Sequence, residues 1–172
     1  VARLMGDRYL WTGADKTRSF AEFRLLQALA RWELPAPQVV AAHYQRTELY
    51  YRADLIMRRI ANTHTLTECI AASRFDAELA QEVGALVARF HRKGVWHADL
   101  NAHNILVAEA ALYLIDFDRG DIRSPGEGWR MGNLQRLRRS MFKVGAAQEG
   151  EAAFDKKIWI PLMYGYERTL SA

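Results

Sequence analysis

Between about Asp15 and Trp32, apolar side chains return at spacings of three and four through Phe20, Phe23, Leu26 and Ala30. This pattern predicts an amphipathic helix, with Glu22 and Arg24 on its charged face, that stops before Pro35 and Pro37. After the prolines, QVVAAHY and ELYYRADLIMRRI are rich in β-branched and aromatic residues and flank a short polar turn, which predicts two strands ending near Ile60. Thr65 and Glu68 have the spacing of a capping box at the head of a short helix. Leu79, Val83, Leu86, Val87 and Phe90 then mark a longer helix running from Asp76 to Gly94. The texture changes at VWHADLNAHN, a polar loop between apolar neighbours, followed by NILVAEAALYLIDFD, which reads as two short strands around a turn. RGDIRSPGEGW reads as a surface loop, and helices are predicted to resume near Met131 and again near Phe154, with a loop around Gly145 to Gly150.

Strands first and helices later predict an α+β fold of two lobes sharing a cleft. The boundaries expected are a partial N-terminal lobe (helix plus strands) over 1–60 and a mainly helical C-terminal catalytic lobe over 61–172. Half of the 172 residues are hydrophobic, enough for a real core. No apolar run reaches the length of about eighteen residues that a membrane-spanning helix needs, and the opening VARLMGD lacks the apolar stretch of a secretory signal. The single cysteine, Cys69, has no partner for an internal disulfide and no CxxC spacing for metal, which suits a reducing compartment. A formal charge of +4 favours anionic partners without choosing among phosphates, acidic sugars, anionic lipid and nucleic acid.

The candidate chemistry lies in the polar loop. His97-Ala98-Asp99-Leu100-Asn101-Ala102-His103-Asn104 matches the kinase catalytic loop HxDLxxxN, a strand-like run follows it, and Asp116-Phe117-Asp118 comes further on. The triphosphate of ATP must be neutralised by magnesium, which prefers hard oxygen ligands, and Asn104 and Asp116 would supply those oxygens from two adjacent strand ends. Asp99 would orient an acceptor hydroxyl or take its proton, while His97 fixes the loop. Glu22 lies on the helix that in kinases carries the glutamate paired with a phosphate-binding lysine, although it could equally be a solvated residue. The sequence holds no GxGxxG and no VAIK, and Val1-Ala2-Arg3 is only an echo of the latter. We therefore expect the N-terminal lobe to be truncated, without its phosphate-covering hairpin.

Two other readings of these residues stay open. Asp99, Asn101 and Asn104 could merely cap turns, with His97 and His103 as hydrogen-bonding residues of a tight loop, the reading favoured for His103. Alternatively, His97, Asp99, His103, Asp116 and Asp118 could form a hydrolase metal cluster, which would leave the LxxxN pattern unexplained.

With HADLNAHNIL, LIDFDRG and NLQRLRRSMFK, and with DRYLWTG and FAEFRLLQAL, the chain resembles the 3-deoxy-D-manno-octulosonic acid (Kdo) kinase family of Gram-negative bacteria over essentially its whole length. These kinases are relatives of the lipopolysaccharide core heptose kinases, within the protein-kinase-like superfamily. The resemblance implies ATP-dependent phosphorylation of the Kdo sugar on a lipid A precursor, on the cytoplasmic side of the inner membrane, with ATP and Mg2+ required. Carried over, the catalytic aspartate falls on Asp99 and the metal and nucleotide contacts on Asn104 and Asp116. Asp118 stands where protein kinases have the glycine of DFG, so a switch by peptide rotation is not expected there.

Arg119, Arg130, Arg136, Arg138, Arg139 and Lys143 could meet a Kdo carboxylate or lipid A phosphates, or form a solvated basic helix face. The same stretch could give peripheral contact with anionic membrane, with Leu134, Leu137, Met141 and Phe142 lining the other side unless they pack in the core. Another sugar, an aminoglycoside or a protein as acceptor, and a non-catalytic nucleotide-binding scaffold, are the competing functions. No nucleic acid is expected, because no recognised binding motif is present.

Overall fold

The computed structural model describes residues 9–11, 13 and 17–172. The first sheet has the order β1-β3-β2 and is antiparallel. It consists of β1 (Tyr9–Leu10), β2 (Val39–Thr47) and β3 (Tyr50–Met57). The hairpin between β2 and β3 pairs Thr47 with Tyr50, and Glu48 takes φ 56° in the tight turn. Helix α1 (Arg18–Arg31) packs on this sheet. Its buried face is Leu25, Leu26, Ala28 and Leu29. Ala30, expected on that face, is exposed, and Phe20 and Phe23 are only half-buried. The packing surface is therefore displaced around the helix from the predicted stripe. The expected start at Asp15 and the Val1-Ala2-Arg3 echo lie outside the described residues.

The second part is built on β4 (His64–Thr65), α2 (Leu66–Ala71) and α3 (Ala77–Arg92). Thr65 Oγ1 accepts from the Glu68 amide at 3.1 Å and Glu68 Oε2 from the Thr65 amide at 2.6 Å, so the predicted capping box forms. These bonds hold the Glu68 carboxyl below the usual carboxylate range. Next come β5 (Val95–Trp96), a 3-10 turn at Ala102–Asn104, and the hairpin of β6 (Ile105–Val107) with β7 (Leu112–Leu114). β4, β6 and β7 form one antiparallel sheet. β8 (Asp121–Ile122) pairs with β5, a small ribbon where only loop is predicted.

Helix α4 (Glu127–Lys143) starts earlier than the predicted Met131, because Gly128 is tolerated in its first turn and Trp129 Nε1 donates back to the Ser124 carbonyl at 3.0 Å. The chain ends in α5 (Glu151–Phe154), a π turn at Asp155–Trp159 and α6 (Ile160–Ser171). Pro161 lacks the amide that a regular helix would use, and the wider π turn accommodates it without ending the helix. The core joins Phe90 of α3, Leu100, Ile105 and Phe117 of the central loops, Leu134, Leu137 and Met141 of α4, and Leu162 of α6. Every one of these is at most 1% exposed.

Candidate active site

Gly94 closes α3 with φ +75°, and a side chain there would meet the Arg123 carbonyl at 2.3 Å, so the chain can enter the catalytic loop at this point only as glycine. Two residues past β5's start the loop becomes polar but remains tightly held. His97 Nε2 donates to the Ile115 carbonyl at 2.9 Å while Nδ1 accepts from the Asp99 amide at 3.2 Å, which fixes the neutral tautomer. Burial holds its pKa below the ordinary histidine range despite the bond to Ile115, and its ring meets Phe117 edge-on at 5.0 Å. Leu100 anchors the loop in the core. Asn101 Oδ1 accepts from the amides of His103 and Asn104 at 2.8 and 3.1 Å, capping the 3-10 turn. Asn104 Nδ2 donates to the Asp99 carbonyl at 3.0 Å. Each fixed letter of HxDLxxxN therefore has a structural task in presenting one exposed side chain, Asp99.

The Asp99 carboxylate is held at both oxygens. Oδ2 accepts from Asn101 Nδ2 at 3.0 Å and Oδ1 from Arg136 Nη1, on α4, also at 3.0 Å. The loop's main chain is clasped from α4 as well: Asn133 Oδ1 accepts from the His97 amide at 3.2 Å and Nδ2 donates to the His97 carbonyl at 2.9 Å.

The second carboxylate sits after β7, where the Ile115 amide donates to the Asn104 carbonyl at 2.9 Å and so joins the ends of the two segments. Asp116 is in the left-handed region at φ 62°, unusual for a residue with a side chain and common at functional sites. Among the described residues its carboxylate makes no ion pair or hydrogen bond, and none occupies Asn104 Oδ1. Two hard oxygen donors without partners among the described residues suit Mg2+, which binds a few carboxylate or amide oxygens and completes its shell with water and phosphate. Glu22 lies beside them, half-buried, and accepts from the Phe117 amide. Burial pushes its pKa up, with the negative charge of Asp116 adding to the effect. The structure thus brings Glu22 into the site rather than leaving it solvated.

A cleft of about 600 Å³ opens from these acids, lined by Glu22, Leu55, Met57, Leu106, Ile115 and Asp116. Its apolar end fits a flat base and its acidic end a metal-bound polyphosphate tail.

The five residues of the alternative metal cluster do not converge. Both His97 nitrogens are used within the loop, His103 Nδ1 lies 3.3 Å from the Thr67 hydroxyl, and Asp118 is paired with Arg18. Among the described residues there is no group of three or more His, Cys, Asp or Glu able to hold a metal.

The basic segment divides. Arg138 is bound to Glu151 and Asp155 at 2.9 and 2.7 Å and stacks over Phe142, so it is structural. Arg130 Nη2 donates to the His91 carbonyl at 3.3 Å. Arg136 alone of the six is bonded to Asp99. Leu134, Leu137 and Met141 are fully buried and Phe142 packs on Phe154 at 4.8 Å, so of the two expectations for this row core packing holds and lining a membrane does not. Sequence reasoning missed Asn133, although it opens the NLQRLRRS run, and also missed Arg18 as partner of Asp118.

A sequence model of the lipopolysaccharide kinase (Kdo/WaaP) family matches residues 1–166. A 3-deoxy-D-manno-octulosonic acid kinase of Stenotrophomonas maltophilia (strain K279a) is 50% identical over 145 residues, covering 84% of this chain and 58% of that protein. The enzyme of the same name from strain R551-3 is 46% identical over 168 residues, covering 97% and 66%. That of Xanthomonas axonopodis pv. citri (strain 306) is 51% identical over 145 residues, covering 84% and 58%. The chain therefore spans between 58% and 66% of the length of these relatives. Among solved structures, WaaP in complex with acyl carrier protein superposes with a TM-score of 0.67 at 20% identity, covering 87% of this chain and 66% of that one. The Rio2 kinase-ADP/Mg2+-phosphoaspartate complex from Chaetomium thermophilum follows at 0.52 and 15%, covering 96% and 62%. At these identities the two structures show the fold, which is protein-kinase-like.

Proposed function

The chain belongs to the lipopolysaccharide kinase (Kdo/WaaP) family, and from that premise we propose that it transfers the γ-phosphoryl group of ATP to a hydroxyl of the Kdo sugar on a lipid A precursor, in lipopolysaccharide inner-core assembly. The observation that carries this reading is the loop that holds Asp99 outward while Asn104 Oδ1 and the Asp116 carboxylate, the latter lining the cleft, have no partner among the described residues. In this reading Asp99 orients the acceptor hydroxyl and takes its proton, and the bond its carboxylate accepts from Asn101 and the one its amide donates to His97 keep it in one rotamer and one loop conformation. Asn104 and Asp116 would hold the nucleotide's divalent cation, which would supply neutralisation of charge on the phosphates. Glu22 borders the phosphate end of the cleft, and Leu55, Met57 and Leu106 cover the base.

The lobe boundary near residue 60 fits this assignment, since the cleft lies between the β1-β3-β2 sheet and the β6–β7 hairpin. A peripheral position on the cytoplasmic side of the inner membrane follows from the lipid acceptor; no helix among the described residues is long and apolar enough to cross a membrane. A cationic aminoglycoside is the weaker acceptor, because Arg136 stands next to Asp99.

The test is transfer of labelled phosphate from Mg-ATP to a Kdo-lipid A precursor by the full-length protein. Asp99→Ala and Asp116→Ala should each lose turnover by roughly a hundredfold or more, with Mg-dependent nucleotide binding weakened in Asp116→Ala and largely spared in Asp99→Ala. Equal loss of nucleotide binding in both would remove the division of labour, and no transfer by the wild type would remove the function.

A further inference from the structure

We infer that Arg136 is the residue that reads the acceptor's carboxylate, and that the ion pair it makes with Asp99 is exchanged for that carboxylate when the acceptor binds; this rests on the kinase reading above. The pair joins the side chain that must meet the acceptor hydroxyl to a cation on a different element, α4. With Asn101 on one Asp99 oxygen and Arg136 on the other, each oxygen keeps a lone pair for a further donor, and a hydroxyl that approaches Oδ1 meets the Arg136 guanidinium beside it. Asn101 is tied into the turn through the His103 and Asn104 amides. Arg136 is the freer of the two: its side chain is 48% exposed, that of Asp99 is 57% exposed, and its bond to Asp99 uses one of five guanidinium N–H donors. A half-exposed pair of this kind is weak and exchanges readily.

The Arg136 guanidinium stands beside Asp99, against which an acceptor hydroxyl would be placed. In a sugar acid, the carboxylate and the ring hydroxyls are within one ring diameter of each other. A hydroxyl placed on Asp99 Oδ1 therefore puts the carboxylate of the same ring within reach of this guanidinium, whose planar fork matches a carboxylate in a way that lysine's ammonium does not. Of the other basic side chains in the segment, Arg138 is committed to Glu151 and Asp155, and Arg130 to the His91 carbonyl. Release of Arg136 from Asp99 then does two things together: it opens Asp99 Oδ1 fully to the hydroxyl and it fixes the ring. A neutral sugar offers no carboxylate to compensate for the broken pair, so the same contact discriminates against it.

The experiment uses full-length wild type, Arg136→Gln and Arg136→Lys with two acceptors: the Kdo-lipid A precursor, and the same lipid with the Kdo carboxylate converted to the carboxamide. Wild type should favour the acid over the amide by roughly 10- to 100-fold in kcat/KM. Arg136→Gln should treat the two nearly alike, through a higher KM for the acid, with KM for ATP within about twofold of wild type. Arg136→Lys should recover part of the preference. If Arg136→Gln loses activity on both acceptors equally and keeps the wild-type preference, Arg136 only braces Asp99 and the inference falls. A wild type that phosphorylates acid and amide equally also overturns it while leaving the kinase reading intact, whereas a wild type inactive on the acid overturns both.

Discussion

At the scale of single residues, the informative side chains are buried polar ones away from the motif. His91, 2% exposed on α3, has Nδ1 accepting from the Tyr166 hydroxyl at 2.8 Å, while Nε2 donates to Asn133 Oδ1 at 3.4 Å. Asn133 in turn clasps the main chain of His97, so a chain of hydrogen bonds runs from α6 to the catalytic loop. None of this was legible in the sequence, because the partners are 75 and 42 residues apart and His91 reads there as a polar position on an amphipathic helix. Burial, set against the raising effect of the bond to Asn133, brings His91 down from 6.5 to about 4 and pushes Tyr166 up to about 12. The unfolded chain therefore takes up His91's proton first as pH falls. Stability should be free of this contribution above about pH 6.5 and decline as pH drops toward 4, by up to about 3 kcal/mol, with His97 acting in the same direction. Urea midpoints of wild type and His91→Gln between pH 7.5 and 4.5 check this: the variant should be less stable at neutral pH but lose stability less steeply on acidification. Parallel slopes would assign the acid sensitivity to other groups.

At the scale of elements, the long helices were readable from their 3.6-residue period, as were the ends of α3 at Asp76 and Gly94 and of α1 at Trp32, whereas the start of α4 and the two-residue strands β5 and β8 were not, since two residues carry no period. Nor does a sequence announce which helices meet. α3 and α6 pack with their backbones in direct approach at two glycines: a Cβ on Gly84 would stand 1.9 Å from the Leu162 carbonyl oxygen, and one on Gly165 2.1 Å from that of Gln81. Both obstacles are main chain, so no rotamer change relieves them. Gly84→Ala should therefore cost about 3 kcal/mol, by forcing the helices apart around Val83 and Leu162. Gly132→Ala, in α4 with nothing within 4 Å of its Cβ, should instead gain about 0.5 to 1 kcal/mol from helix propensity. Denaturant melts of the two variants beside wild type decide it, and a neutral Gly84→Ala would show that the interface has room the packing denies.

At the scale of the molecule, the site depends on two parts of the chain being held in register. Asp99, Asn104 and Asp116 were legible because they lie in one contiguous run whose spacing the chemistry of phosphoryl transfer dictates. The element that faces them was only half legible: Glu22 could be placed by its helix, but nothing in sequence pairs Arg18 with Asp118, 100 residues away. Arg18, at the start of α1, donates from Nε to Asp118 Oδ1 at 2.8 Å and pairs through Nη2 with Oδ2, a fork that ties α1 to the loop carrying Asp116. The same guanidinium lies 4.6 Å over the Tyr9 ring, so β1, α1 and the loop of Asp116 to Asp118 meet at one residue. With both side chains about 30% exposed (29% and 32%), the pair should contribute only about 1 kcal/mol to stability. Its larger effect should be on nucleotide binding, because Glu22, one turn further along α1, and Asp116, two residues before Asp118, move together only while the fork holds. Arg18→Gln and Asp118→Asn should each weaken Mg-ATP binding by roughly 3- to 10-fold, and the double variant should lose little beyond either single one. Nucleotide titration of the four full-length proteins measures that coupling, and additive losses would mean that the two residues serve the cleft independently rather than as one tie between its walls.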